Sequence, residues 1–361
     1  MRPQNYAFGF NYASAFLNFF IFFLLLRTPK LNSIAMKRVL GLGHALVDLL
    51  YQMPDDNLLK EFKLPKGSMQ LIDEKNADEL EAFLRGKDIS LVSGGSAANS
   101  IHGLARLGIN CGYVGTVFKD DLGDFYRNDL QAAGIDTILF EGKSKTGRAN
   151  TFISPDSERT FATYLGASSE INIEDITEKT FEGYDIFHIE GYQVYNTPLI
   201  DHSIKLAKSL GLKVSIDMAS FNVVEDNLVF LKEAIPAYVD IVFANEEEAK
   251  AYTGKEPGEA LNIIAEQCKI AVVKVGKNGS LIKNGDTIYT VGAVPCNPLD
   301  TTGAGDQYAA GFLYGYIQGL SFDKCGQIGA LIAGRVIEKY GARIQEQDWP
   351  ELLEKVGEIV G

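Results

Sequence analysis

Basic charge is in short supply in this chain. Its 361 residues carry 34 Lys and Arg against 47 Asp and Glu, a formal net charge of −13. Nucleic-acid binding needs a cationic surface that displaces counterions, so nucleic acid is excluded as an expected partner. Cysteine is scarce too. Cys111, Cys268, Cys296 and Cys325 lie far apart with no C-x-x-C spacing. That argues against a zinc ribbon or a disulfide framework, fits a reducing compartment, and leaves the four as packing residues. The apolar stretch from Ala15 to Leu26, interrupted by Asn18, falls short of the roughly 20 residues a spanning helix needs. It resembles a signal-peptide core, but no A-x-A site follows closely. Residues 1–35 hold Arg2, Arg27 and Lys30 and no acid. They are expected to form an N-terminal extension outside the fold, with a signal or membrane anchor as the alternative. Residues 36–361 are the expected folded domain, and no membrane partner is expected for it.

Several phosphate-handling signatures are also missing. No G-x-x-x-x-G-K-[ST] occurs, because Gly142-Lys-Ser has Thr137 where the first glycine should stand. A P-loop enzyme is thereby disfavoured. No H-R-D or D-F-G set is present, which excludes a protein kinase. Gly41-Leu-Gly-His-Ala-Leu46 fails the dinucleotide fingerprint at its third glycine.

What the chain does have is globular composition: 46% hydrophobic and 22% charged residues. Its 36 glycines often close short β-branched runs, as tight turns at a binding face require. Val39 to Gly43 reads as a strand entering a turn. Residues 73–84 read as a helix with Asp73 as N-cap, and Ala97 to Leu107 as a helix stopped by Gly108. Residues 186–189, 213–217, 241–244 and 270–275 are apolar strands separated by helical stretches, the pattern of a parallel sheet covered on both faces. Residues 280–283 and 287–291 flank Asn284-Gly285 as a hairpin. Residues 304–319 and 322–340 read as two final helices. Residues 136–165 are instead short β-rich pieces joined by polar turns. With residues 46–72 they are expected to form a small sheet standing off the main body.

One string carries most of the chemistry: Asp300-Thr-Thr-Gly-Ala-Gly-Asp306, opening a late helix. Gly303, Ala304 and Gly305 leave the backbone N–H groups at the helix start unhindered. Such amides lack intrahelical partners and attract anions. Asp306 then stands in the first turn, where a carboxylate can take a proton from an attacking hydroxyl while the amides hold developing charge. Phosphoryl transfer needs that combination. Upstream, Gly94-Gly-Ser-Ala-Ala-Asn99 supplies glycines that admit a ligand to the backbone and an amide that can donate and accept toward a diol. Asp48 follows the first strand. Asn245 and Glu248, spaced i and i+3, share one helix face.

Together these strings resemble the two signatures of the ribokinase-like (PfkB) family over residues 37–345. The resemblance implies an α/β ribokinase-like fold, with a central mostly parallel sheet, helices on both faces and a small β-sheet lid. It implies an ATP-dependent kinase in which Asp306 is the base and Gly303, Ala304 and Gly305 form the anion hole. Asp48, Gly94, Gly95 and Asn99 would then hold sugar hydroxyls. Asn245 and Glu248 match the family's N-x-x-E element, which organises water-bound Mg²⁺, with Glu248 acting through water. Lys274, Gly276 and Gly279 match its strand and turn near the nucleotide, and Thr302 joins the ATP-binding set. Residues 330–333 and 341–342 lie where the adenine pocket is built. ATP and Mg²⁺ are the implied cofactors, and an enzyme that uses ATP is expected in the cytoplasm, as a monomer or homodimer. One departure is His44, where many sugar kinases of the family have another residue.

The family includes ribokinases, fructokinases, ketodeoxygluconate kinases and adenosine kinases. Residues 158–167 and the run His44-Ala-Leu-Val-Asp48 resemble adenosine kinases, which implies a nucleoside acceptor with a free sugar or sugar acid as the alternative. Phe152, Phe161, Tyr164 and Phe187 could stack on a purine or form core. A binding-only sensor on the same fold is the non-enzyme alternative.

Overall fold

The computed structural model describes residues 38–156 and 158–361, so the extension expected over residues 1–35 lies outside the described residues. Its strands are β1 (Val39–Leu42), β2 (Leu46–Gln52), β3 (Met69–Leu71), β4 (Ser90–Gly94), β5 (Cys111–Val117), β6 (Asp136–Glu141) and β7 (Gly147–Ile153). They continue as β8 (Arg159–Tyr164), β9 (Ile186–Glu190), β10 (Lys213–Asp217), β11 (Ile241–Asn245), β12 (Ile270–Lys274), β13 (Ser280–Asn284) and β14 (Thr287–Val291). Nine of them form one sheet in the order β14-β13-β12-β11-β10-β9-β1-β5-β6. The run from β6 to β12 is parallel, and β13 and β14 close one edge as the expected antiparallel hairpin. Strands β1, β5 and β9 are buried at every position, as a sheet sandwiched between helix layers demands.

The remaining strands make a second sheet in the order β3-β8-β7-β2-β4. Two boundaries differ from the expectation. β6, expected in the small sheet, lies parallel to β5 with Gly112 opposite Asp136. β5, the helix Asp121–Ala132 and β6 form one β-α-β unit, and a crossover of this kind returns the chain to its own sheet. β4, outside the residues expected in the small sheet, joins it antiparallel to β2, with Asp48 opposite Val92. A third late helix, Trp349–Val360, follows the two expected ones. Its buried Trp349, Leu352 and Val356 cluster with Ile328 and Ile332 of the preceding helix.

The helix Ala304–Ile317 packs against the helices Phe322–Val336 and Ser96–Arg106. Its Phe312 is fully buried, edge-on to Phe243 of β11 at 5.3 Å and stacked with Phe322 at 6.3 Å. That ring anchors the helix whose first turn carries Asp306. Among the described residues no helix is long and apolar enough to cross a membrane, and all four cysteines are free.

Phe312→Ala removes that ring and is expected to cost about 3–5 kcal/mol. Urea unfolding should show a lower midpoint at an unchanged slope.

Candidate active site

The chain leaves β1 for β5 on one side of the sheet and later enters β9 on the other, so the strand order reverses beside β1. In open α/β sheets, ligands bind beyond the strand carboxyl ends at such a point. A cleft of about 1140 Å³ opens beyond the carboxyl ends of the strands that follow on the β9 side. Asp217 ends β10, Asn245 ends β11 and Lys274 ends β12, and all three line it. The cleft wall includes every residue predicted for catalysis, acceptor and phosphate binding except Gly94, and of the positions expected at the adenine pocket it includes Ala330, Ala333 and Ala342 but not Leu331, Ile332 or Gly341.

Asp306 is held by two neutral donors from the N-terminus of the helix Ser96–Arg106. Ser96 Oγ donates to its Oδ1 at 2.6 Å, and Asn99 Nδ2 donates to its Oδ2 at 2.9 Å. Ser100 Oγ also donates to the Asp306 carbonyl oxygen at 3.0 Å. Burial pushes the carboxyl up to about 7, against the pull of those hydrogen bonds and of Lys274, and the Asp217 charge pushes the same way as burial. Gly303 caps the helix at φ 75, and a Cβ there would stand 2.6 Å from Ala342 Cα. Only glycine fits both the left-handed turn and the close approach.

Asp48 lies on β2 facing β4. A Cβ at Gly94 would fall 2.4 Å from its carboxylate, so Gly94 makes room for Asp48 although it does not itself line the cleft. Burial lifts Asp48 to about 7, opposed by the nearby guanidinium groups of Arg343 and Arg159. Gly95, at φ 97, starts the helix, and a Cβ on it would strike the His44 carbonyl oxygen at 2.2 Å.

Across the cleft, Lys274 Nζ donates to Asp217 Oδ2 at 2.8 Å. A Cβ on Gly305 would lie 2.9 Å from that ammonium, so the charge sits close over the small-residue turn. Burial acts to lower Lys274, but the carboxylates of Asp217, Glu248 and Asp306 outweigh it and hold the ammonium above its ordinary value. Asn245 and Glu248 form a reciprocal cap: Glu248 N donates to Asn245 Oδ1 at 2.8 Å, and Asn245 N and Nδ2 each donate to Glu248 at 2.7 Å. Burial raises Glu248 to about 7, Lys274 opposes the rise and Asp217 adds to it. Among the described residues no group of three or more His, Cys, Asp or Glu side chains could hold a metal ion. A bare triphosphate would meet Asp217, Glu246, Glu247, Glu248 and Asp306 against only Lys274 and Lys277. Those residues fit a cation that arrives on the phosphates with its waters, as Mg²⁺ does, and not one held in a protein cage.

The pfkB family carbohydrate kinase model matches residues 67–349. The chain belongs to the PfkB family of carbohydrate kinases. A probable sugar kinase from Rhizobium etli superposes with a TM-score of 0.79 at 35% identity, covering 89% of this chain and 99% of that one. Adenosine kinase from Sinorhizobium meliloti gives 0.78 at 34% identity, covering 91% and 100%. An uncharacterized sugar kinase of Archaeoglobus fulgidus is 32% identical over 67% of this chain and 96% of its own length. This PfkB protein is an ATP-dependent kinase, and its acceptor class is a sugar or nucleoside.

Several residues in and around the cleft of this PfkB protein escaped sequence reasoning. Ser96 lies inside the glycine string but was not singled out. Asp217 follows an ordinary buried strand. Two residues on, Ala219 has φ 64, a strained conformation for a residue with a side chain, and sequence carries no sign of it. Arg159 of β8 donates to Thr302 Oγ1 at 2.9 Å and pairs with Asp300 at 2.7 Å, tying the small sheet to the turn before the helix. Of the four aromatics considered for stacking, Phe161 lines the cleft. Phe152 and Phe187 do not, because both rings are spent in the two hydrophobic cores, and Tyr164 is also buried away from it. Tyr192, next to β9, lines the cleft instead, its phenol pushed up to about 12 by burial and then by Asp306.

Asp306→Asn has a signed effect on stability. A carboxyl whose folded value lies near 7 binds more protons folded than unfolded between about 4 and 7. Its contribution to stability therefore falls as pH rises through that window and stays low above it. Asn has no charge to bury, and its amide can donate to Ser96 Oγ while its oxygen accepts from Asn99. The variant is expected to melt above the wild type at pH 8, with the gap closing toward pH 4.

Proposed function

We propose that this kinase transfers the γ-phosphoryl group of ATP to the 5′-hydroxyl of a nucleoside, with adenosine the first candidate. The observation that carries the reading is the buried Asp306 carboxylate, held between Ser96 and Asn99 beside the small-residue turn. Asp48 and Asn99 hold the ribose diol; Asn99 Oδ1 has no protein partner and can accept a hydroxyl. Asp306 takes the 5′-hydroxyl proton. The amides of Gly303, Ala304 and Gly305 stabilise the phosphoryl group in transfer, assisted by the Lys274 ammonium. Gly276 and Gly279 turn the chain beside the nucleotide, and the small Ala330, Ala333 and Gly334 leave space for its base. Mg²⁺ bound with the nucleotide would neutralise phosphate charge, and Glu248 would orient one of its waters.

A nucleoside is supported by the similarity to the Sinorhizobium adenosine kinase and by Phe161 and Tyr192, two aromatic surfaces in one cleft. The second reading, a sugar acceptor, is supported by the Archaeoglobus and Rhizobium relatives, both named as sugar kinases. A panel of adenosine, ribose, fructose and ketodeoxygluconate in an ADP-coupled assay separates them. The expected result is the highest kcat/KM for adenosine; a sugar or sugar acid preferred by orders of magnitude would overturn it. Asp306→Asn should lower kcat by roughly 10²–10⁴ with the fold retained, and near-normal turnover would refute the base assignment. In the wild type the base must be ionised, so kcat/KM should fall as pH drops through about 7.

A further inference from the structure

The crevice where the strand order reverses, between the carboxyl ends of β1 and β9, is filled by one side chain that the proposed mechanism leaves unused. Glu190 ends β9 and is only 1% exposed. It does not line the cleft. A carboxylate buried so deeply is costly unless hydrogen bonds replace its water. Three do so. Glu190 Oε1 accepts the His44 backbone N–H at 2.8 Å and lies 2.7 Å from His44 Nδ1. Oε2 accepts the Ala97 N–H at 3.0 Å, one of the free amides of the helix Ser96–Arg106, where the helix dipole favours an anion.

These contacts join two segments far apart in sequence. One is the turn Gly43–Ala45, which leads directly into β2 and Asp48. The other is the helix start that carries Gly95, Ser96 and Asn99. The segments approach closely. A Cβ on Gly43 would fall 2.3 Å from Glu190 Oε2, and a Cβ on Gly95 would fall 2.2 Å from the His44 carbonyl oxygen. The turn is therefore clamped between Glu190 on one side and Gly95 on the other.

We propose that Glu190 is a positioning residue for the phosphoryl acceptor: acting through His44 and the Ala97 amide, it sets Asp48 relative to Ser96 and Asn99. The inference rests on the acceptor-site reading given above. The nucleotide-side residues Lys274, Gly276 and Gly279 belong to β12 and its following turn, and none of the three contacts reaches them. The defect on loss of Glu190 is accordingly confined to the acceptor. Glu190→Gln keeps the size of the side chain but replaces one acceptor oxygen with a donor facing an N–H.

The test compares wild type, Glu190→Gln, His44→Ala, the double variant and Asp48→Asn, with adenosine as acceptor. KM for adenosine and for ATP is measured alongside the melting temperature. Glu190→Gln should raise the adenosine KM about tenfold or more while the ATP KM stays within about twofold. The double variant should be less impaired than the two single effects combined, since both break one contact network. A lowered melting temperature with both KM values unchanged would reduce Glu190 to a stability residue and overturn the proposal. Equal rises in both KM values would do the same. Asp48→Asn keeps the two failures apart. If it leaves the adenosine KM untouched, or if the wild type does not turn adenosine over, the acceptor-site reading fails and the Glu190 role falls with it. If Asp48→Asn is impaired and Glu190→Gln is not, only the Glu190 role fails.

Discussion

The cleft depends on one carboxylate buried without a full counter-charge. Asp306 belongs to the first turn of one helix, and the two donors that satisfy it belong to the first turn of another, 207 and 210 residues away. Ser96 and Asn99 are neutral, so they satisfy the oxygens without neutralising them. The nearest cation, Lys274, is already engaged by Asp217. Burial then wins, and the carboxyl is lifted from the ordinary 3.8 to about 7. A base working near neutrality needs this compromise.

The surrounding structure reads as the support for that arrangement. Phe312 anchors the helix that carries Asp306, and Gly303 bends the chain in a left-handed turn at the cleft wall. Arg159, held to Thr302 and Asp300, couples the small sheet to the same turn. Glu190 closes the opposite corner. Asp48 and Glu248 share with Asp306 a value lifted to about 7 by burial. Three such carboxyls in one cleft cost stability, since each would be cheaper in water, and such clusters mark functional sites more often than structural ones.

How much of this was legible in the sequence follows from how local each signal is. The parallel sheet was, because apolar strands and helical crossovers alternate within short windows. So was the small-residue turn at the cleft, because Gly303, Ala304, Gly305 and Asp306 are consecutive. The hairpin at Asn284-Gly285 was legible for the same reason. β6 was misassigned because its texture matched the β-rich region after it, while its partner β5 lies a whole helix earlier. Asp217, Arg159 and Glu190 left no mark at all: each is a single charged residue at a strand end, and its role comes from partners more than fifty residues away. The helix Trp349–Val360, beyond the two late helices expected, carries its signal in the spacing of Trp349, Leu352 and Val356. Phe152 and Phe187, open between stacking and core, belong to the core, since an aromatic ring carries no sequence sign of whether it faces a ligand or a core.

The central claim is physical, and one titration reaches it directly. With ¹³C-labelled aspartate, the Asp306 carboxyl resonance is identified by its loss in Asp306→Asn and followed with pH in the ligand-free enzyme. The expected midpoint is near 7, with the resonance still protonated at pH 5. A midpoint near the ordinary 3.8 would mean that Ser96, Asn99 and Lys274 fully offset burial, and the account of a carboxylate poised to accept a hydroxyl proton would be wrong.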